Sequence, residues 1–177
     1  MVVREAGLIF RGFNLVKRSY HKSTKGKIDA DLRSGLLTAI KNFAESAFTK
    51  GSVEYFEGKK FLIAFTDGEI MSEDGIEPEP LISYAILDKE KKMERYMQKI
   101  ILPQLKKVIN EFMVTNKGKN LSEVSQFRGF KEKLDKIFGT DTQTVDQKLK
   151  GIFTEEKKDS ENKAKKKVKK KKEKKVS

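Results

Sequence analysis

The sequence predicts an α+β fold: a five-stranded antiparallel sheet flanked by helices. Three observations predict it. Two apolar-patterned strand segments open the chain. A long amphipathic segment separates them from three more strands. Helical patterning then fills the chain up to a lysine-rich end, giving the order β-β-α-β-β-β-α-α.

The first two strands are expected at Ala6–Phe10 and Asn14–His21. Leu8, Ile9 and Phe10 form one apolar run, Leu15 and Val16 another, and Arg11-Gly12-Phe13-Asn14 supplies the turn between them. Gly and Asn tolerate the positive φ that tight hairpins need. Ser23 to Lys27 reads as a polar loop. A helix follows from Ala30 to Phe48, capped by Asp29 or Asp31, whose carboxylates accept from the first free N–H groups. Leu32, Leu36, Ile40, Phe43, Ala47 and Phe48 recur at helical spacing as one stripe, while Arg33, Lys41 and Glu45 face elsewhere. The small residues Gly35, Ala39 and Ala44 suit close packing on a sheet, and Gly51 ends the helix.

Three strands are expected at Ser52–Phe56, Lys60–Thr66 and Leu81–Leu87. Phe61 to Phe65 reads FLIAF, apolar throughout, which predicts an interior strand covered on both faces. Val53 to Glu57 is half polar and reads as an edge, with Glu57-Gly58-Lys59 as the following turn. Asp67 to Pro80 is an acidic loop in which Pro78 and Pro80 disfavour helix.

Asp88 to Asn116 carries the longest helical pattern, with Pro103 expected to kink or split it because proline lacks the N–H donor. Ser122 or Ser125 caps another helix bearing Phe127, Phe130, Leu134, Ile137 and Phe138, closed by Gly139. Val145 to Phe153 reads as a last short helix. The organisation is then a folded domain over 1–140, a short helix and linker over 141–158, and a disordered basic tail over 159–177.

Charge is concentrated at that end. The chain carries a formal net charge of +13, and residues 160–177 hold ten lysines against two glutamates with only two valines as larger apolar residues. Such a segment cannot bury enough apolar surface to offset its ordering entropy. The rest is only mildly basic, so a high isoelectric point says little about the folded part. The chain contains no cysteine, which excludes disulfides and thiolate metal sites. Its single histidine, His21, excludes a multi-histidine metal site and reads as a partly exposed strand-end residue. No phosphate-loop or dinucleotide glycine motif occurs, and no nucleophile elbow accompanies His21. The expectation is a protein that is not an enzyme, with no cofactor and no metal. No apolar run approaches the roughly 18 residues that span a bilayer, and the N-terminal apolar stretch is too short for a secretory signal. The expected location is the cytoplasm, with peripheral attachment to a membrane surface as a further expectation.

The element order resembles the longin domain, one of the SNARE-like, profilin-like folds. The resemblance rests on Ala6–His21, Asp29–Phe48, Lys59–Phe65 and Pro80–Asp88, with Phe127–Gly139 matching the last helix. It covers residues 4–140, and the general character is similar to longin-like proteins of archaea related to eukaryotes. Longins are interaction modules of vesicle trafficking, and several bind small GTPases. The resemblance therefore implies a non-catalytic, GTPase-associated or trafficking-like adaptor. It also implies a partner groove between the first helix and the neighbouring edge strand, at Phe43, Ala47, Phe48, Val53, Tyr55 and Phe56. Neither a SNARE heptad helix nor a membrane anchor follows Gly139, so fusion activity is not implied.

Two bland readings stand beside these. Phe43 and Phe48 lie at helical spacing and equally complete a core. The lysines of the tail, Lys163, Lys165, Lys166, Lys167, Lys169, Lys170, Lys171, Lys172, Lys174 and Lys175, form an arm for anionic surfaces or serve only as a solubilising terminus. An alternative function follows from the same tail: nucleic-acid or ribosome association through phosphate contacts. It has no aromatic residue for base stacking, which argues against sequence selection.

Overall fold

The two chain-opening runs pair as a hairpin whose register the side chains dictate. In the computed structural model, which describes residues 2–21, 30–48 and 53–144, β1 is Val3–Phe10 and β2 is Phe13–Ser19. Only Arg11 and Gly12 connect them, at φ 49° and 82°. Positive φ at both positions matches the twist of flanking strands. Gly12 reaches it freely. Arg11 is held there by its ion pairs with Asp74 and Glu79.

Helix α1 (Ala30–Phe48) follows, then β3 (Tyr55–Glu57), β4 (Phe61–Ile70) and β5 (Glu79–Asp88). All pairings are antiparallel, in the spatial order β2-β1-β5-β4-β3. The doubly apolar FLIAF run therefore lies in an interior strand, and β2 and β3 are the edges. Strands β4 and β5 run further than their apolar residues suggested. Asp67 and Glu69 sit within the ladder opposite Ile82 and Pro80, so the acidic loop shrinks to residues 71–78. β3 is a short strand, reinforced by the Phe65 N–H donating to the Glu54 carbonyl at 2.8 Å.

The sheet has helices on both faces. On one side, Leu8, Phe10, Val16, Leu62, Ala64, Leu81 and Leu87 meet the helical run after β5. That run begins with α2 (Glu94–Tyr96), widens into a π turn over Met97–Ile101, and continues as α3 (Leu102–Asn116). The π turn is where Pro103 acts. The Leu102 N–H reaches back five residues to the Met97 carbonyl, and Pro103, the next residue, has no N–H to continue that ladder. The expected kink or split is thus a local widening. Where a capped helix was expected after Ser122, the chain winds a tighter 3-10 turn over Val124–Phe130 before α4 (Lys131–Phe138). Phe112 of α3 receives Phe127 and Phe130 edge-on at 5.2 and 5.1 Å. Gly139, at φ 42°, ends α4.

The other face holds a smaller cluster: Ile9, Phe65, Ile82, Tyr84 and Ile86 beneath Leu37 of α1. Here the structure corrects the sequence reading twice. Phe65 is buried, but Phe61 and Ile63 are only half-buried, so α1 does not cover the whole face. The described part of the stripe expected to pack on the sheet is also rotated away from it. Leu36, Ile40 and Phe43 are exposed, whereas Ser34, Leu37 and Lys41 are buried.

Residues Met1–Thr142 form one compact unit and Gln143–Ser177 a second, of which only 143–144 are described. The expected loop at Ser23 to Lys27, the stop at Gly51, the short helix at 145–153 and the basic tail lie outside the described residues.

Candidate functional site

Tertiary bonds at two points set the rotation of α1. Near its start, Ser34 Oγ donates to the Gly12 carbonyl at 2.8 Å, against the β1–β2 turn. Further along, the buried Lys41 ammonium faces Asp67 of β4 at 3.6 Å. Leu37 lies between these contacts and enters the smaller core. Positions 34, 37 and 41 are one helical face, so 36, 40 and 43 project from another. The consequence is an exposed apolar ridge: Leu36 is 58% exposed, Ile40 38% and Phe43 65%. Monomeric proteins seldom leave three large apolar side chains in line on one helix without a use for them.

Those of the expected groove residues whose side chains are described do not converge on one surface. Phe56 lies on the α1 side of the sheet, edge-on to Phe65 at 5.7 Å. Tyr55, its neighbour along the strand, alternates to the opposite side and packs against the larger core. Val53 is half-buried just before β3. Phe43 is on the exposed ridge. Ala47 and Phe48 form the last turn of α1, and their side chains lie outside the described residues, as do the tail lysines from Lys163 to Lys175. Half-buried Phe56, Phe61 and Ile63 extend apolar surface on the same side of the sheet as α1.

The polar residues fall into local structural networks. Arg4 forms a two-pronged pair with Asp88, its second bond at 3.0 Å. Buried Glu5 accepts from Tyr84 Oη at 3.0 Å and from Ser19 Oγ at 2.9 Å. Arg11 clamps Glu79 and Asp74, with Nε to Glu79 Oε2 at 2.7 Å and Nη1 to Asp74 Oδ2 at 2.8 Å. Hydrogen bonds from Ser72 and then Arg11 bring the Asp74 carboxyl down to about 2. Arg11 likewise lowers Glu79. Burial pushes the Tyr20 and Tyr96 phenols up. His21 donates from Nε2 to the Thr142 carbonyl, a long-range tie that its strand-end position gave no sign of. Among the described residues, no three carboxylate or histidine groups converge as metal ligands, and no helix is long and apolar enough to cross a membrane.

The sequence reading missed a second concavity. It runs between β2 and the 3-10 turn, lined at one end by Phe10, Phe13 and Leu121 and at the other by Ser125, Arg128 and Lys131. The only signals for it were Phe13 inside a turn and basic residues beside Phe127 and Phe130. Compared with known proteins, the chain matches no family model and no curated relative.

Proposed function

We propose that this protein is a non-catalytic interaction module, an adaptor of longin-like character whose partner is a protein of the small-GTPase class. The observation that carries the reading is the exposed ridge Leu36, Ile40 and Phe43 on a helix whose sheet-facing side is already occupied. Helix ridges spaced i, i+4, i+7 are the form in which apolar anchors enter a partner's groove. The element order supports it too, since strands β1 and β2, helix α1 and strands β3 to β5 follow one another as in the domains this chain resembles. Partner class comes from that resemblance alone.

The test is affinity capture from the native cytoplasm, using the full chain and a Leu36→Glu/Phe43→Glu variant with an unchanged melting temperature. Small GTPases enriched by the parent and lost from the variant support the reading. Capture that ignores both substitutions removes the ridge from it.

A further inference from the structure

The second concavity arises from a β-bulge. Leu8 pairs with Val16 and Ile9 with Asn14, which leaves Leu15 without an opposite residue. Leu15 and Val16 therefore both enter the larger core, although strand alternation would separate them. The bulge bends β2 beneath the returning 3-10 turn. That turn buries Phe127 and Phe130 and leaves Val124 (38% exposed) at the rim, across from Phe13 (59% exposed). Between them run two cavities of about 350 Å³ each, which share Asn14, Leu15 and Val124 and so form one groove.

Its charge is one-sided. Arg11, Lys17, Arg128 and Lys131 contribute to the lining, and no carboxylate does. Asp74 and Glu79 neutralise Arg11. Lys17, Arg128 and Lys131 make no ion pair among the described residues. The groove also follows a sheet edge. Leu15 and Val16 are buried, but Lys17 is half-buried and Arg18 and Ser19 are exposed, and among the described residues 17–19 make no backbone–backbone hydrogen bond outside the β1 pairing. An open edge offers N–H and C=O groups to an added strand, and flanking pockets read its alternate side chains.

We propose that this groove docks an extended segment of a partner protein, with an apolar side chain in the Phe10–Leu15–Leu121 end and carboxylates against Arg128 and Lys131. The segment adds to the accessible end of the β2 edge, at residues 17–19. Like charge argues against the lysine tail as its occupant. The site lies at the opposite sheet edge from β3 and does not depend on the α1 ridge.

The probe is a fluorescein-labelled nine-residue peptide with two leucines among aspartates and glutamates, titrated by anisotropy against the full chain. Arg128→Glu/Lys131→Glu is expected to weaken its Kd at least tenfold. Val124→Asp should do the same through the apolar end. Leu36→Glu should leave it unchanged. The exposed positions 128 and 131 keep the double variant folded, which a thermal melt verifies, so the test stands even if Val124→Asp unfolds. A peptide with serines for the leucines separates the groove from the lysine tail, which reads charge alone. Equal affinity for the two peptides, or unchanged affinity in the double variant, overturns the proposal. So does a single-stranded RNA that loses affinity in the double variant while the peptide does not, because the groove is then a nucleic-acid surface.

Discussion

Gly7 sits where β1 passes closest to its neighbours. A Cβ there would lie 2.5 Å from the Val16 carbonyl oxygen and 2.9 Å from a ring carbon of Tyr84. The first is backbone and cannot swing away, and the second belongs to a ring fixed by its bond to Glu5. Gly7→Ala should therefore destabilise the fold by about 1–3 kcal/mol, the usual cost of overpacking, seen as a lower urea midpoint at unchanged slope. Nothing in the AGLIF run marks this, because the demand comes from a ring 77 positions away in sequence. Asp74 is a second residue set by its neighbours, the local Ser72 first and the distant Arg11 next. Its carboxyl falls from 3.8 to about 2, so the unfolded chain binds this proton more tightly than the folded one. The stabilisation is fully present above about pH 4 and is lost as pH falls through about 2. Ser72→Ala removes the largest cause and should move the Asp74 titration back toward 3.8, read by NMR of the carboxyl carbon. An unmoved titration would assign the effect to Arg11 and Ser122.

At the scale of elements, α1 shows how far periodicity reaches. Its bounds were legible, since the spaced apolar residues match Ala30–Phe48. Its orientation was not. Periodicity finds the most apolar stripe, but the helix docks by Ser34 on Gly12 and Lys41 on Asp67, and these long-range bonds have no trace in local spacing. The two faces should respond differently to truncation. Leu37→Ala removes a side chain only 5% exposed and should cost about 2–5 kcal/mol. Leu36→Ala should change stability by no more than about 0.5 kcal/mol. Comparable losses at both positions in chemical denaturation would mean that the ridge packs in solution. The same contrast holds within β4. Leu62 is fully buried on the α3 side while Ile63 is half-buried on the α1 side, so the even apolarity of FLIAF hides two environments. β3 and β2 differ again: polarity revealed β3 as an edge, but the basic groove along β2 is assembled by a bulge and a returning turn.

At the scale of the whole molecule, charge divides the chain more sharply than fold does. The formal net charge is +13, and ten lysines fall between Lys163 and Lys175. The compact unit ends at Thr142, so ending the chain at residue 158 leaves that unit's residues intact. The full chain should sediment with vesicles rich in anionic lipid, each lysine near the surface adding about 1 kcal/mol. The 1–158 chain should not. Salt separates the sources of binding. Contacts to single-stranded RNA release counterions with a slope of about −0.7 per phosphate in log K against log salt, so ten lysines allow a slope of about −7 at most. A slope that persists in the 1–158 chain would place the anion site among Arg128, Lys131 and their neighbours. Vesicle binding confined to the full chain would give the proposed adaptor a means of reaching a membrane surface. RNA binding confined to the full chain, with no vesicle binding, would favour a nucleic-acid role over a trafficking one. Equal binding by both chains in both assays would remove the tail from the mechanism altogether, since no other segment carries so many cations without an apolar anchor.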